Sequence, residues 1–124
     1  ASDFQLTKNE EGGFFFEQVL KTSSQWSDDE HMMYVVGATQ AEYLQRVRNI
    51  VPNHFLLVPG IGAQGGDFDQ LIEHGMTQEC GLLVNSSRGI LYADSSEHFA
   101  SAAANEAENL RRKMETALIK QGII

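Results

Sequence analysis

The apolar positions of the chain form two kinds of pattern that alternate along it. Phe15, Phe16, Val19 and Leu20 recur at helical spacing, which predicts a helix from about Gly13 to Ser24. Met32-Met33-Tyr34-Val35-Val36 is instead a short, nearly continuous apolar run closed by Gly37-Ala38-Thr39, the pattern of a strand buried on both faces of a parallel sheet. Thr39 can then cap a helix from Ala41 to about Ile50, with Tyr43, Leu44, Val47 and Ile50 as its apolar stripe and Pro52-Asn53 as its end. A second run, Phe55-Leu56-Leu57-Val58, enters a glycine-rich loop. After that loop comes a short helix from Phe68 to about His74, with Gly75 placed for a left-handed C-cap. A third run, Gly81-Leu82-Leu83-Val84, leads into Asn85-Ser86-Ser87-Arg88-Gly89. From Ser96 onward Phe99, Ala103, Ala107, Leu110, Met114 and Leu118 recur three or four apart, which predicts a long amphipathic helix.

One helix followed by three strand-loop-helix units implies parallel strands with right-handed crossovers, hence the α/β class. No Pro-rich linker or low-complexity segment interrupts the pattern, so residues 1–124 are expected to form a single domain.

Composition narrows the function classes. With 42% hydrophobic and 21% charged residues the chain is ordinary globular material. The formal net charge is −8, and the single basic cluster, Arg111-Arg112-Lys113, lies in a Glu-rich helical pattern and reads as a solvated helix face. No nucleic-acid partner is expected, because a phosphate-backbone footprint needs clustered cations. The lone Cys80 has no internal disulfide partner and fits a reducing compartment. No apolar run approaches the ~18 residues of a membrane span, and Ala1-Ser2-Asp3-Phe4 lacks the basic and apolar regions of a signal peptide, so a cytoplasmic protein without a membrane partner is expected. The absence of an initiator Met marks position 1 as an expected cut or processed end. The acidic stretch Trp26-Ser27-Asp28-Asp29-Glu30 lacks the spacing of a metal ligand set and reads as a solvated turn.

Candidate chemistry concentrates in the loops after the second and third apolar runs, since binding residues of parallel α/β folds sit at the carboxyl ends of strands. Four glycines between Gly60 and Gly66 let backbone N–H groups approach an anion with no Cβ in the way, and Gln64 adds an amide donor. The next loop supplies Ser86, Ser87 and the Arg88 guanidinium, so both loops can converge on one phosphate. A nucleotide P-loop is excluded because G-x-x-x-x-G-K-[ST] is absent. The spacing of Gly60-Ile61-Gly62-Ala63-Gln64-Gly65 matches a dinucleotide fingerprint but lacks its acidic ribose partner. His31, His54, His74 and His98 lie away from these loops and read as structural or surface residues.

The strings Val35-Val36-Gly37-Ala38-Thr39, Phe55 through Asp67 with its core Pro59-Gly60-Ile61-Gly62-Ala63-Gln64-Gly65-Gly66-Asp67, and Gly81 through Ile90 resemble strands six, seven and eight of the orotidine 5'-phosphate decarboxylase family, in its bacterial subgroup. The resemblance implies the C-terminal half of a (β/α)8 TIM barrel with about three parallel strands and flanking helices, because a whole barrel takes about 250 residues. It also implies that Gln64, Ser87 and Arg88 hold the 5'-phosphate and that Pro59 lies beside the pyrimidine ring. No metal or organic cofactor is implied. The implied partners are orotidine or uridine monophosphate and the N-terminal half of the barrel; because strands cut from a closed barrel leave edges and an apolar inner face open, a homo-oligomer such as a homodimer is expected as well.

The family's catalytic D-x-K-x-x-D signature does not occur, and Lys8, Lys21, Lys113 and Lys120 all fall in polar or helical contexts. The chain is therefore expected to bind phosphate without decarboxylating. Two other readings share the same loops: another phosphate-binding barrel enzyme, such as a sugar-phosphate decarboxylase or isomerase, and a non-catalytic half-barrel acting by assembly.

Overall fold

A computed structural model describes residues 2–61 and 67–124. Three short parallel strands, β1 (Tyr34–Val35), β2 (Leu56–Pro59) and β3 (Leu82–Asn85), form one sheet in the order β1-β2-β3. Around it run α1 (Ser2–Gln5), α2 (Phe15–Ser23), a 3-10 helix over Ala38–Tyr43, α3 (Leu44–Ile50), α4 (Phe68–Gly75), α5 (Arg88–Leu91) and α6 (Phe99–Lys120). The helix-then-repeats order expected from the sequence is therefore present, with every strand parallel to its neighbour.

Register lines the strands up in rows. Tyr34, Leu56 and Leu82 make one row, and Val35, Leu57 and Leu83 make the next. Leu56, Val58 and Leu82 are buried against Leu44, Val47 and Val51 from α3 and its end and against Leu71 of α4, which together make the core. The opposite face is not covered: Val35 is 68% and Leu83 48% exposed. The expectation that the strands are buried on both faces is thus corrected. Side chains alternate across a strand, and α3 and α4 pack on one side of the sheet only.

Local boundaries also differ from the sequence reading. The turn over Ala38–Tyr43 is 3-10, so Thr39 lies inside it and α3 begins at Leu44 without a side-chain cap. Gly75 is the last residue of α4 rather than a left-handed cap, and the extended Met76 closes the helix. Glycine is needed there for space. A Cβ on Gly75 would stand 3.2 Å from Leu82 Cδ2 and 3.4 Å from Leu71 Cδ1. At the other end of α4, the Asp67 side chain accepts a hydrogen bond from Gln70 N at 3.1 Å, a regular N-cap. In α6 only Ala117 is buried among the described residues, and Phe99, at the start of the expected apolar stripe, stays 59% exposed.

The ends of the strands opposite the loops are tied by a buried arginine. Arg48 donates from Nε to Gly75 O (2.7 Å), from Nη1 to His54 O (2.6 Å) and Val51 O (3.2 Å), and from Nη2 to Gly81 O (2.9 Å). One side chain thereby joins the ends of α3 and α4 to the starts of β2 and β3. Burial lowers its pKa to about 10, so the guanidinium is still charged at neutral pH. Its charge is met by carbonyl dipoles instead of a carboxylate. Arg48 stands four residues after Leu44 and three before Val51, so it shares their buried side of α3.

Candidate functional site

The two loops singled out in the sequence leave the carboxyl ends of neighbouring strands. Pro59 and Asn85 are register partners at the last position of the β2–β3 pair, and Gly60 N–H donates to Asn85 O at 3.3 Å, which carries the ladder one step past the strands. Gly60 then turns away with a φ of 97°, a left-handed conformation that a side chain would strain. On the other side Ser87 ends the β3 loop, and its carbonyl accepts from Ile90 N (3.1 Å) and Leu91 N (2.8 Å) to start the single turn of α5.

Residues 59–61 and 85–89 line a cavity of about 170 Å³. Pro59, Ser87 and Arg88, three of the residues assigned to the site from the sequence, therefore meet at one place. Gln64, the fourth, lies outside the described residues. Among the described residues the lining contains one cation, Arg88, and no carboxylate, so an anion there would meet no like charge from them. Ser87 and Arg88 are exposed, and the Arg88 side chain makes no ion pair among the described residues.

Asn85 also lines this cavity and was not singled out in the sequence. The available signal was a polar residue ending an otherwise apolar strand run. The histidines do stand away from the cavity: His31 and His98 are exposed, and His54 is buried just before β2 with its ring 5.5 Å from that of Tyr34. Both ring nitrogens of His54 lack a hydrogen-bond partner. No group of acidic, His and Cys side chains among the described residues could hold a metal ion, and no described helix is long and apolar enough to cross a membrane.

A larger, mostly apolar groove of about 530 Å³ lies between α2 and β1, where Phe15, Phe16, Val19 and Val35 form its wall. It sits at the free edge of β1, and its described lining holds no cationic side chain.

No family model matches the chain. In sequence it is similar to the orotidine 5'-phosphate decarboxylase of Phocaeicola vulgatus, with 56% identity over 113 residues that cover 91% of this chain and 42% of that protein. The enzyme of the same name from Porphyromonas gingivalis is 51% identical over 124 residues, which is all of this chain and 45% of that one. Among solved structures, Leishmania donovani UMP synthase superposes with a TM-score of 0.70 at 32% identity, over 86% of this chain and 24% of the other. Leishmania donovani OMP decarboxylase superposes with a TM-score of 0.69 at 28% identity, over 90% of this chain and 42% of the other. The chain thus spans less than half the length of the curated relatives it matches. Along nearly all its residues the chain matches part of the orotidine 5'-phosphate decarboxylases in sequence, and its strands and flanking helices match part of their fold.

Proposed function

We propose that the chain is the phosphate-binding portion of an orotidine 5'-phosphate decarboxylase, the enzyme that converts orotidine monophosphate to uridine monophosphate and carbon dioxide in pyrimidine biosynthesis. The observation that carries this reading is the meeting of the Gly60 turn with Ser87 and Arg88 at the ends of adjacent parallel strands, in a cavity whose described lining holds no carboxylate. Arg88 supplies a two-pronged donor to the phosphate dianion, backbone N–H groups of the β3 loop add further donors, and Gln64 is assigned to the same phosphate by the family motif. Pro59 supplies apolar surface to the pyrimidine.

Held this way, the phosphate contributes binding energy remote from the reacting carbon, which a complete active site spends on orienting and desolvating the pyrimidine. Proton transfer belongs to residues outside this chain, whose four lysines at positions 8, 21, 113 and 120 all lie away from the cavity. The chain by itself therefore binds without turnover, works in the cytoplasm, and self-associates through the surfaces it leaves uncovered.

The test is a calorimetric titration of uridine monophosphate into the chain and its Arg88→Ala variant. A loss of roughly 2 to 5 kcal/mol is expected where a guanidinium meets a dianion in a partly desolvated pocket. Equal affinities would remove Arg88 from the site. An assay with orotidine monophosphate should show no turnover by the isolated chain, and turnover above background would place the chemistry within it.

A further inference from the structure

We infer that Asn85 is a specificity residue of the site, its carboxamide hydrogen-bonding the polar edge of the pyrimidine while the loop beyond it holds the phosphate. The inference rests on the phosphate-site reading and adds a second contact to it.

Three observations converge on this side chain. Burial alternates along β3, with Leu82 buried, Leu83 exposed, Val84 half-buried and Asn85 exposed, so Asn85 shares the uncovered face of the sheet with Leu83. The other strand residues of that face, Val35, Leu57, Pro59 and Leu83, are all apolar, which leaves Asn85 as the one polar side chain the strands present there. Its backbone carbonyl is engaged by Gly60 N–H, which fixes the residue against the Gly60 turn, yet its carboxamide makes no hydrogen bond among the described residues.

Position then separates its role from that of the phosphate donors. Asn85 is the last residue of β3, whereas Ser87 turns the chain and Arg88 opens α5, so the strand residue and the phosphate donors line the cavity from different elements. A nucleotide anchored at Arg88 and lying back over the sheet meets the last register pair of the strands, Asn85 and Pro59. A carboxamide offers a donor and an acceptor side by side, the complement of the alternating C=O and N–H groups of a pyrimidine imide. Apolar neighbours would hold the ring without orienting it.

The experiment compares Kd values of the chain for two probes, uridine monophosphate and ribose 5-phosphate, in the wild type and in Asn85→Leu, Asn85→Ala and Arg88→Ala. For both Asn85 variants, uridine monophosphate should bind roughly 3- to 15-fold more weakly, the size of one neutral hydrogen bond, while ribose 5-phosphate stays within about twofold. Arg88→Ala should weaken both probes together. Loss of both probes alike in the Asn85 variants, or no loss of either, would overturn the role given to Asn85 and leave the phosphate site standing. Failure of the wild type to bind either probe would overturn the phosphate site and this inference with it.

Discussion

Arg48 Nη2 donates to the carbonyl of Gly81 at 2.9 Å, and the same carbonyl accepts from Leu56 N at 2.9 Å, so one oxygen links a buried cation to the first hydrogen bond of the β2–β3 pair. The carbonyls of Gly75, His54 and Val51 complete the set around the guanidinium. Substituting Arg48→Met would fill similar volume but strand several buried acceptors. A cost of about 2 to 4 kcal/mol is expected, read as a lower midpoint in urea unfolding with an unchanged slope. A variant as stable as the wild type would show that water satisfies those carbonyls instead.

Gly81 and Gly122 separate two causes of glycine sensitivity. Both have left-handed φ, 66° and 70°. An added Cβ at Gly81 would stand 2.6 Å from Thr77 Oγ1 and 2.9 Å from Arg48 Nη2, whereas at Gly122 nothing lies within 4 Å. Gly122→Ala should therefore cost only the strain of the backbone, about 1 kcal/mol, and Gly81→Ala clearly more because it also displaces the Arg48 network. Thermal unfolding of the two variants side by side checks the order.

Glu17 links the start of α2 to α3. Its Oε2 accepts from Phe14 N at 2.7 Å and its Oε1 from Arg46 Nη1 at 3.1 Å, while the Arg46 guanidinium lies 5.0 Å from the centre of the Phe14 ring. The backbone hydrogen bond from Phe14, aided by Arg46, holds the carboxyl below its ordinary value of 4.5. A carboxylate with a depressed folded pKa stabilises above its unfolded pKa, and that contribution is lost as pH falls through the lower folded value. Glu17→Gln should cost about 1 kcal/mol at pH 7, the usual size of a helix-start interaction, and the difference from wild type should shrink as the pH is taken below 4.5. A difference independent of pH would assign the effect to shape instead of charge.

The uncovered sheet face carries a prediction about association. Val35 and Leu83 lie in one register row on either side of Leu57, both substantially exposed, and the apolar groove at the free edge of β1 adjoins Val35. At about 25 cal/mol per Å², a few hundred Å² of such surface left wet costs several kcal/mol, comparable with the stability of a small domain. Light scattering across a dilution series should therefore show self-association of the chain, and Val35→Ser with Leu83→Ser should shift it toward monomer. A wild-type monomer with cooperative unfolding would show that one covered face is a sufficient core.

Element type and order were legible in the sequence because they follow from local periodicity. The 3.6-residue stripes gave α2, α3 and α6, the short apolar runs gave three strands, and turn residues gave the loops between them. The place of Ser87 and Arg88 beside the cavity was legible for the same reason, since a polar loop after a strand run falls at a carboxyl end whatever the register. Which face of each strand is buried was not legible. Runs such as Leu56-Leu57-Val58 are apolar on both faces, so only the placement of α3 and α4 decided that Leu56 and Val58 are buried and that Val35 and Leu83 are exposed. Register was equally silent, and it alone sets Asn85 opposite Pro59 beside the cavity. Gly75 and Arg48 make the same point for long-range contacts. A glycine at a helix end reads as a cap and an arginine in a helix as a solvated charge until tertiary packing brings Leu82 against the one and four carbonyls around the other.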